Sequence, residues 1–135
     1  MQPRHVLIAI LGLTLAACKL PVPEPVPTGA DDFASYCAVC HGEAGKGDGA
    51  LAATLDRRPA DLTRLARDNG GAFPATRAMS HIWGYADGRD GARIMPEFGP
   101  LLQGELVPYD GGDGIMTPTP IRLVQLAEYV KGLGG

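Results

Sequence analysis

Two cysteines and a histidine lie close together in Cys37-Ala38-Val39-Cys40-His41. In a helical turn, residues i and i+3 share one face, so both sulfurs can bond to the two vinyl groups of a single haem. His41 then points at the iron and can serve as its proximal ligand. The C-x-x-C-H spacing therefore predicts one covalently bound haem c with its iron. Thioether formation also explains why Cys37 and Cys40 would not form a disulfide in an oxidising compartment.

Two other chemistries use paired cysteines. A thioredoxin-like redox pair requires a βαβ context, and no strand-like run flanks Cys37 and Cys40. A zinc site requires a second pair of ligands, whereas His81 and Cys18 are the only further candidates in the mature chain. Haem attachment therefore fits the sequence better than either alternative.

The residues around this motif resemble the class I cytochrome c family. Asp31–Tyr36 supplies a helix-capping residue and an amphipathic turn before the motif, like the N-terminal helix of that family. Residues 42–49 form a glycine-rich loop, whose glycines permit positive φ and let the backbone pass close to a porphyrin edge. The loop lacks the preceding strand and the G-K-[ST] ending of a phosphate-binding loop. Pro59–Thr63 is similar to a segment common in bacterial members, and the resemblance extends over roughly residues 30–133.

This resemblance implies a mostly α protein with a small cytochrome c fold. About three to five short helices would wrap around one covalent haem, connected by long Gly/Pro-rich loops. The cytochrome c domain is expected to span residues 31–135, and residues 104–118 are expected to form one of the long loops.

A C-terminal helix follows that loop. Thr119 and Pro120 predict its start, by a capping hydroxyl and a proline at the first helical position. An apolar face is predicted after them, and glycines end the helix. The predicted face consists of Ile121, Val124, Leu126, Ala127, Val130 and Leu133. In the family this helix crosses the first one, which would place Phe33 against Leu126 or Tyr129.

The resemblance also suggests the sixth ligand of the iron. Met95-Pro96-Glu97-Phe98 is similar to the Met-Pro-x-aromatic segment that carries the distal methionine in this family. Pro96 biases Met95 toward an extended conformation, from which a loop can present a thioether to the iron. Met95 is therefore the predicted distal ligand, and His41 the predicted proximal one.

Other side chains keep this assignment open. Ligation by His81 in place of Met95 would give bis-histidine coordination of the iron. The more ordinary role for His81 is to lie on the protein surface, facing solvent. Met79, Ile82 and Trp83 are expected to pack near the haem from the same short helix or turn. Met116 lacks the Met-Pro-aromatic context.

Three further residues are candidates for contacts with the haem. Arg57 or Arg58 would suit a bidentate pair with a haem propionate, although such arginines are often simply solvated. Trp83 could donate its indole N–H to a propionate or only pack against the cofactor.

The N-terminus predicts export. Residues 1–17 have the features of a signal peptide, with Arg4 before the apolar stretch Val6–Leu15. That stretch is short for a membrane span, and a short anchor or a buried helix is the alternative. Leu15-Ala16-Ala17-Cys18 resembles the lipobox of bacterial lipoproteins, which implies acylation of Cys18 on its sulfur and its amino group. Several acyl chains anchor stably where one would not. The alternative is an ordinary secreted protein with an incidental cysteine.

Residues 18–30 form the predicted tether behind this lipidated cysteine. Prolines alternate through residues 20–27, so the segment cannot be a helix or a central strand and should adopt polyproline II. At ~3.1 Å per residue, this run of proline-rich chain would reach roughly 25 Å. The tether would lift the domain off a bacterial membrane on its periplasmic side.

Charge excludes one class of partner. The net charge of the full sequence is −3, and removal of residues 1–17 takes away Arg4 and leaves a net charge of about −4. The sequence has no basic stripe, so it does not favour nucleic-acid binding. A mildly acidic surface suits a protein partner with a positive docking patch.

Histidine and methionine ligation would leave the iron no open position for a small-molecule substrate. We therefore expect an electron-transfer protein rather than an enzyme, carrying single electrons between a membrane donor and an acceptor. A fixed electron-input subunit of a larger respiratory or dehydrogenase complex is one alternative, and a haem-based redox or gas sensor with a labile sixth ligand is another. The sequence contains no catalytic triad, paired-carboxylate site or nucleotide-binding fingerprint.

Overall fold

The computed structural model describes residues 25–86 and 95–135. Its regular structure is a mixture of short helices and one two-stranded sheet, which is less helical than the mostly α fold expected from the sequence. The helices are α1 (Gly29–Asp32), α2 (Ala38–His41), α3 (Ala75–Trp83) and α4 (Ile121–Gly132), and the strands are β1 (Leu106–Asp110) and β2 (Met116–Pro120). A π-helical turn (Phe33–Cys37) joins α1 to α2, and 3-10 turns occur at Ala52–Thr54, Leu62–Arg64, Arg67–Asn69 and Gly99–Leu101.

The predicted signal peptide, Cys18 and most of the predicted tether lie outside the described residues. Within residues 25–86 and 95–135, no helix is long and apolar enough to cross a bilayer.

A capping box starts the first helical segment. The Thr28 hydroxyl accepts a hydrogen bond from the Asp31 amide at 3.2 Å, and Asp31 Oδ2 accepts one from the Thr28 amide at 2.8 Å. Hydrogen bonds from Thr28 also hold the pKa of Asp31 below its usual value. The capping residue is therefore Thr28, and the expectation that an aspartate would cap this helix was wrong. Asp31 acts instead as the reciprocal partner.

Helix α4 crosses α1, as the family resemblance implied. Phe33 is buried and packs against Tyr129, with ring centroids 5.2 Å apart. Gly29 permits the close approach of the two helices, because an added Cβ would lie 2.1 Å from the carbonyl oxygen of Gln125. Leu126 is also buried in the hydrophobic core at this crossing. The predicted contact between the two helices is therefore confirmed.

The start of α4 differs from the prediction. The helix begins at Ile121, and the Thr119 hydroxyl donates to the Thr117 carbonyl at 2.9 Å instead of capping it. Thr119 belongs to β2, whose pairing extends to Pro120. An apolar face forms with the spacing i, i+3, i+4 and i+7, but it differs in part from the predicted one. Its buried residues are Leu123, Leu126, Ala127 and Val130. Leu123 was not predicted to belong to it, and the predicted residues Ile121, Val124 and Leu133 are only half-buried.

An antiparallel hairpin occupies residues 106–120, where we expected a long loop. Its register pairs Leu106 with Pro120. Asp110 organises the turn, and hydrogen bonds to its carboxylate hold its pKa below the usual value. Its Oδ1 accepts from three following amides, those of Gly112, Asp113 and Gly114. Prolines in both strands and glycines in the turn gave this segment the composition of a loop, but cross-strand contacts sustain the strands.

A buried ion pair joins α1 to α4. Asp32 is 2% exposed, and its carboxylate accepts hydrogen bonds from Nη2 and Nε of Arg122 at 2.5 and 3.1 Å. The bond to Asp32 is the main cause of the raised pKa of Arg122. Loss of Arg122 would leave the buried carboxylate of Asp32 uncompensated, at a cost of about 3–5 kcal/mol. The pair therefore fixes how the two terminal helices cross.

Substitution of Gly29 tests the tightness of this crossing. Gly29→Ala is expected to lower the free energy of unfolding by about 1–3 kcal/mol, because the added methyl group meets the Gln125 carbonyl and forces the helices apart. Gly132→Ala is the matched control, since nothing lies within 4 Å of its added Cβ. The control is expected to be neutral or stabilising by up to about 1 kcal/mol. Denaturant titration followed by circular dichroism measures both, and equal stabilities would contradict the prediction.

Candidate haem site

The motif cysteines lie on one continuous helical stretch. Cys37 ends the π-helical turn and is 8% exposed, whereas Cys40 and His41 are half-buried in α2. Both cysteines are free thiols. Burial, with smaller contributions from Asp32 and Cys40, raises the pKa of the Cys37 thiol to about 12. Cys37 is therefore protonated at neutral pH, which disfavours thiolate-driven disulfide formation.

His41 is oriented by a backbone carbonyl. Its Nδ1 lies 3.0 Å from the carbonyl oxygen of Ala60. Because a carbonyl only accepts, Nδ1 is the donor in this contact, and Nε2 is the ring nitrogen left to face a metal. Such a bond fixes the ring orientation and raises the basicity of the ligand. Two free thiols and an imidazole with an available Nε2 form a donor set that fits covalent haem.

The glycine-rich loop folds back over α2. The amides of Gly47 and Gly49 donate to the carbonyls of His41 and Cys40 at 2.8 and 3.1 Å. Gly47 has a φ of +73°, and an added Cβ would lie 2.3 Å from the Pro59 carbonyl oxygen. The predicted need for positive φ is therefore confirmed. Pro59, which Gly47 approaches closely, directly precedes Ala60, whose carbonyl orients His41.

The three residues predicted to contact the haem lie in different settings. Arg57 is exposed, and Arg58 donates from Nε to the Gly47 carbonyl at 3.4 Å. Arg58 also lines a cleft of about 330 Å³ that contains two further cations, Lys46 and Arg64. Trp83 ends α3 and is half-buried against the hydrophobic core. Their contacts with a haem propionate stay a prediction.

Met95 lies at the start of the second described range and is half-buried. The residues that follow it are held against two other parts of the fold. The Phe98 amide donates to the Ile82 carbonyl at 3.0 Å, and the Phe98 ring centroid lies 6.1 Å from that of Tyr36. The loop after Met95 is thus fixed in place, whereas ligation by Met95 stays a prediction.

The alternative distal ligands differ in exposure. Met79 is buried and His81 half-buried, both on α3, which confirms the short helix expected there. Met116 lies on β2 and is 60% exposed. A cleft of about 580 Å³ separates α3 from the hairpin; Met79 lines it, but the two motif cysteines and the motif histidine do not.

Two important contacts could not be predicted from side-chain patterns. The partner of His41 is the backbone carbonyl of Ala60, which no side-chain pattern can reveal. The Pro59–Thr63 run, noted for its family resemblance, was the available signal. Asp32 and Arg122 are 90 residues apart, and each reads as an ordinary polar helix position.

Two glycine variants test the coupling between the glycine-rich loop and the histidine. Gly47→Ala is expected to lower the free energy of unfolding by about 1–3 kcal/mol more than Gly70→Ala, because only Gly47 adds a collision to the strain of positive φ. Gly70 has a similar φ, +70°, with nothing within 4 Å of an added Cβ.

Displacing the Ala60 carbonyl in Gly47→Ala is also expected to raise the reduction potential of the haem, since a less basic imidazole stabilises Fe(III) less. Denaturation and spectroelectrochemical titration measure these effects, and indistinguishable variants would contradict the coupling.

Part of the chain matches a known protein family. A family model described as cytochrome C oxidase, cbb3-type, subunit III matches residues 24–83, a little under half of the chain. The match includes the C-x-x-C-H motif, the Ala60 carbonyl and α3. No curated protein and no solved structure matches the chain. The matched residues are thus similar to a c-type cytochrome family, whose domain implies covalently bound haem c with its iron, and they include both motif cysteines and the oriented His41.

Proposed function

We propose that this protein is a single-electron carrier, with one haem c ligated by His41 and Met95 and a lipid tether on the periplasmic side of a bacterial membrane. The observation that carries the proposal is the 3.0 Å contact between His41 Nδ1 and the Ala60 carbonyl oxygen, because such a contact is the usual support of a metal-ligating histidine. The haem supplies a reversible Fe(III)/Fe(II) couple when bound.

The residues of the chain hold and tune this couple. Cys37 and Cys40 attach the cofactor through thioethers, next to the histidine that ligates it. Met95 contributes a soft thioether, which favours the reduced metal and raises the reduction potential. A haem iron held by both His41 and Met95 would have no open position for a substrate, which favours electron transfer over catalysis. Partners would dock through a small, short-lived interface.

The matched family description favours a second candidate, an electron-input subunit of a larger respiratory complex. Exposed apolar side chains on and near the hairpin would suit a permanent interface. These are Tyr85, Leu106, Ile115 and Met116. Mild detergent extraction from native membranes separates the two candidates, since a carrier would migrate alone and a subunit would co-purify with catalytic chains.

Visible spectroscopy of the purified holoprotein tests the haem and its ligands. Sharp low-spin bands are expected on reduction, and the oxidised protein should show the weak far-red band of Met–Fe(III) ligation. Met95→Ala is expected to remove that band, because no thioether then reaches the iron. Met116→Ala is the matched control and should leave the spectrum unchanged, since Met116 is exposed on β2.

Other spectra would overturn parts of the proposal. A low-spin spectrum without the far-red band would favour His81 as the sixth ligand. A high-spin spectrum would indicate an open site, as a sensor or an enzyme would have. Absence of covalent haem in the unaltered protein, tested by haem staining after denaturing electrophoresis, would contradict the central claim.

Cys18→Ala tests the tether. The full-length chain, expressed in a bacterial host, is expected in the carbonate-washed membrane fraction, because several acyl chains anchor it stably. The variant should be released into the soluble fraction and should fail to incorporate labelled fatty acid. Met116→Ala serves as the control that stays on the membrane. A Cys18 variant that remains equally membrane-bound would contradict lipidation as the anchor.

A further inference from the structure

The guanidinium of Arg122 makes contacts on both sides of the helix crossing. Besides its two bonds to Asp32, it donates from Nη1 to the Leu101 carbonyl at 2.6 Å. The hydroxyl of Tyr36 also interacts with it and contributes to the raised pKa of Arg122. The side chain is only 18% exposed, although it is charged. One α4 side chain therefore connects α1 and the π-helical turn to the 3-10 turn at Gly99–Leu101.

That 3-10 turn follows Met95 by a few residues, and the described segment from Met95 to Leu101 is called the Met95 loop. Arg122 holds its far end at Leu101, and the Phe98 amide holds its middle by donating to the Ile82 carbonyl. Gly99 fits tightly against Trp83, where an added Cβ would lie 2.8 Å from the carbonyl oxygen. Leu102, directly after the turn, is fully buried.

We propose that Arg122 is a positioning residue for the distal ligand, which clamps the Met95 loop to the ion pair at the helix crossing. This inference rests on the proposed ligation by Met95. Arg122 does not touch the cofactor in this scheme; it limits how far the loop can open. The planar guanidinium suits the role, because it can bond to a carboxylate and to a carbonyl at the same time.

The first test measures how easily a competitor replaces the distal ligand. The ferric holoprotein is titrated with imidazole, whose apparent affinity increases with the population of the open loop. Arg122→Gln is expected to increase that affinity about tenfold or more, because it removes a charge-assisted bond to the loop. Lys131→Gln is the matched control on the same helix, since Lys131 pairs only with the exposed Glu128 among the described residues. The control should stay within about twofold of the unaltered protein.

A second variant separates positioning from stability. Arg122→Lys keeps a positive charge for Asp32, but a single ammonium group cannot reproduce the fork that bonds to Asp32 and Leu101 together. Its loss of stability should be smaller than that of Arg122→Gln, while imidazole should still bind more tightly than to the unaltered protein. A purely structural role would instead make imidazole affinity follow the loss of stability in both variants.

Amide hydrogen exchange gives a readout that does not depend on the distal ligand. The Phe98 amide should exchange about tenfold faster in both Arg122 variants, because the loop opens more often, while the Leu126 amide in α4 should change less. If the unaltered protein lacks the far-red band, ligation by Met95 fails, and Phe98 exchange alone decides whether Arg122 clamps the loop. Unchanged imidazole affinity and unchanged Phe98 exchange would overturn the proposal, even if the variants unfold more easily.

Discussion

The ion pair between Asp32 and Arg122 is the interaction on which the geometry of this small domain depends. Removing two charges from water is costly, and only good geometry with additional hydrogen bonds offsets that cost. Here the carboxylate receives two bonds, and the guanidinium has the Leu101 carbonyl as a third acceptor. These directional bonds specify one crossing of α1 and α4 among the many that apolar contact would tolerate. Gly29 then lets the two backbones meet at that crossing.

The proximal side of the site follows from this crossing and from the glycine-rich loop. The C-x-x-C-H motif continues the helical segment that Asp32 anchors, so its orientation is set from the N-terminal side. On the other side, Gly47 lies against Pro59 and brings the Ala60 carbonyl to His41. A side chain at Gly47 would collide with that segment. The histidine is therefore held by its own helix and by an independent loop, which together define which ring nitrogen is available to iron.

Sequence reasoning succeeded where the signal is local or periodic. It identified the C-x-x-C-H motif, part of the apolar face of α4 and the packing of Phe33 on Tyr129. It failed at the hairpin, because proline and glycine favour loops on average while cross-strand pairing is a non-local effect. The same pairing accounts for the wrong cap at Thr119. The role of Arg122 could not be predicted, because its charged partner is distant in the chain and its loop partner is a backbone carbonyl.

The two axial sides of the proposed haem site differ in how they are secured. The proximal histidine is adjacent to Cys40, so covalent attachment of the haem would keep His41 near the iron even in a loosened domain. Met95 has no such covalent neighbour, and its loop is held by hydrogen bonds and packing at Phe98, Gly99 and Leu101. Local opening follows the weakest set of contacts. If Met95 ligates the iron as proposed, exchange of this ligand should begin in the loop, and the proposed clamp at Arg122 would set its free-energy cost.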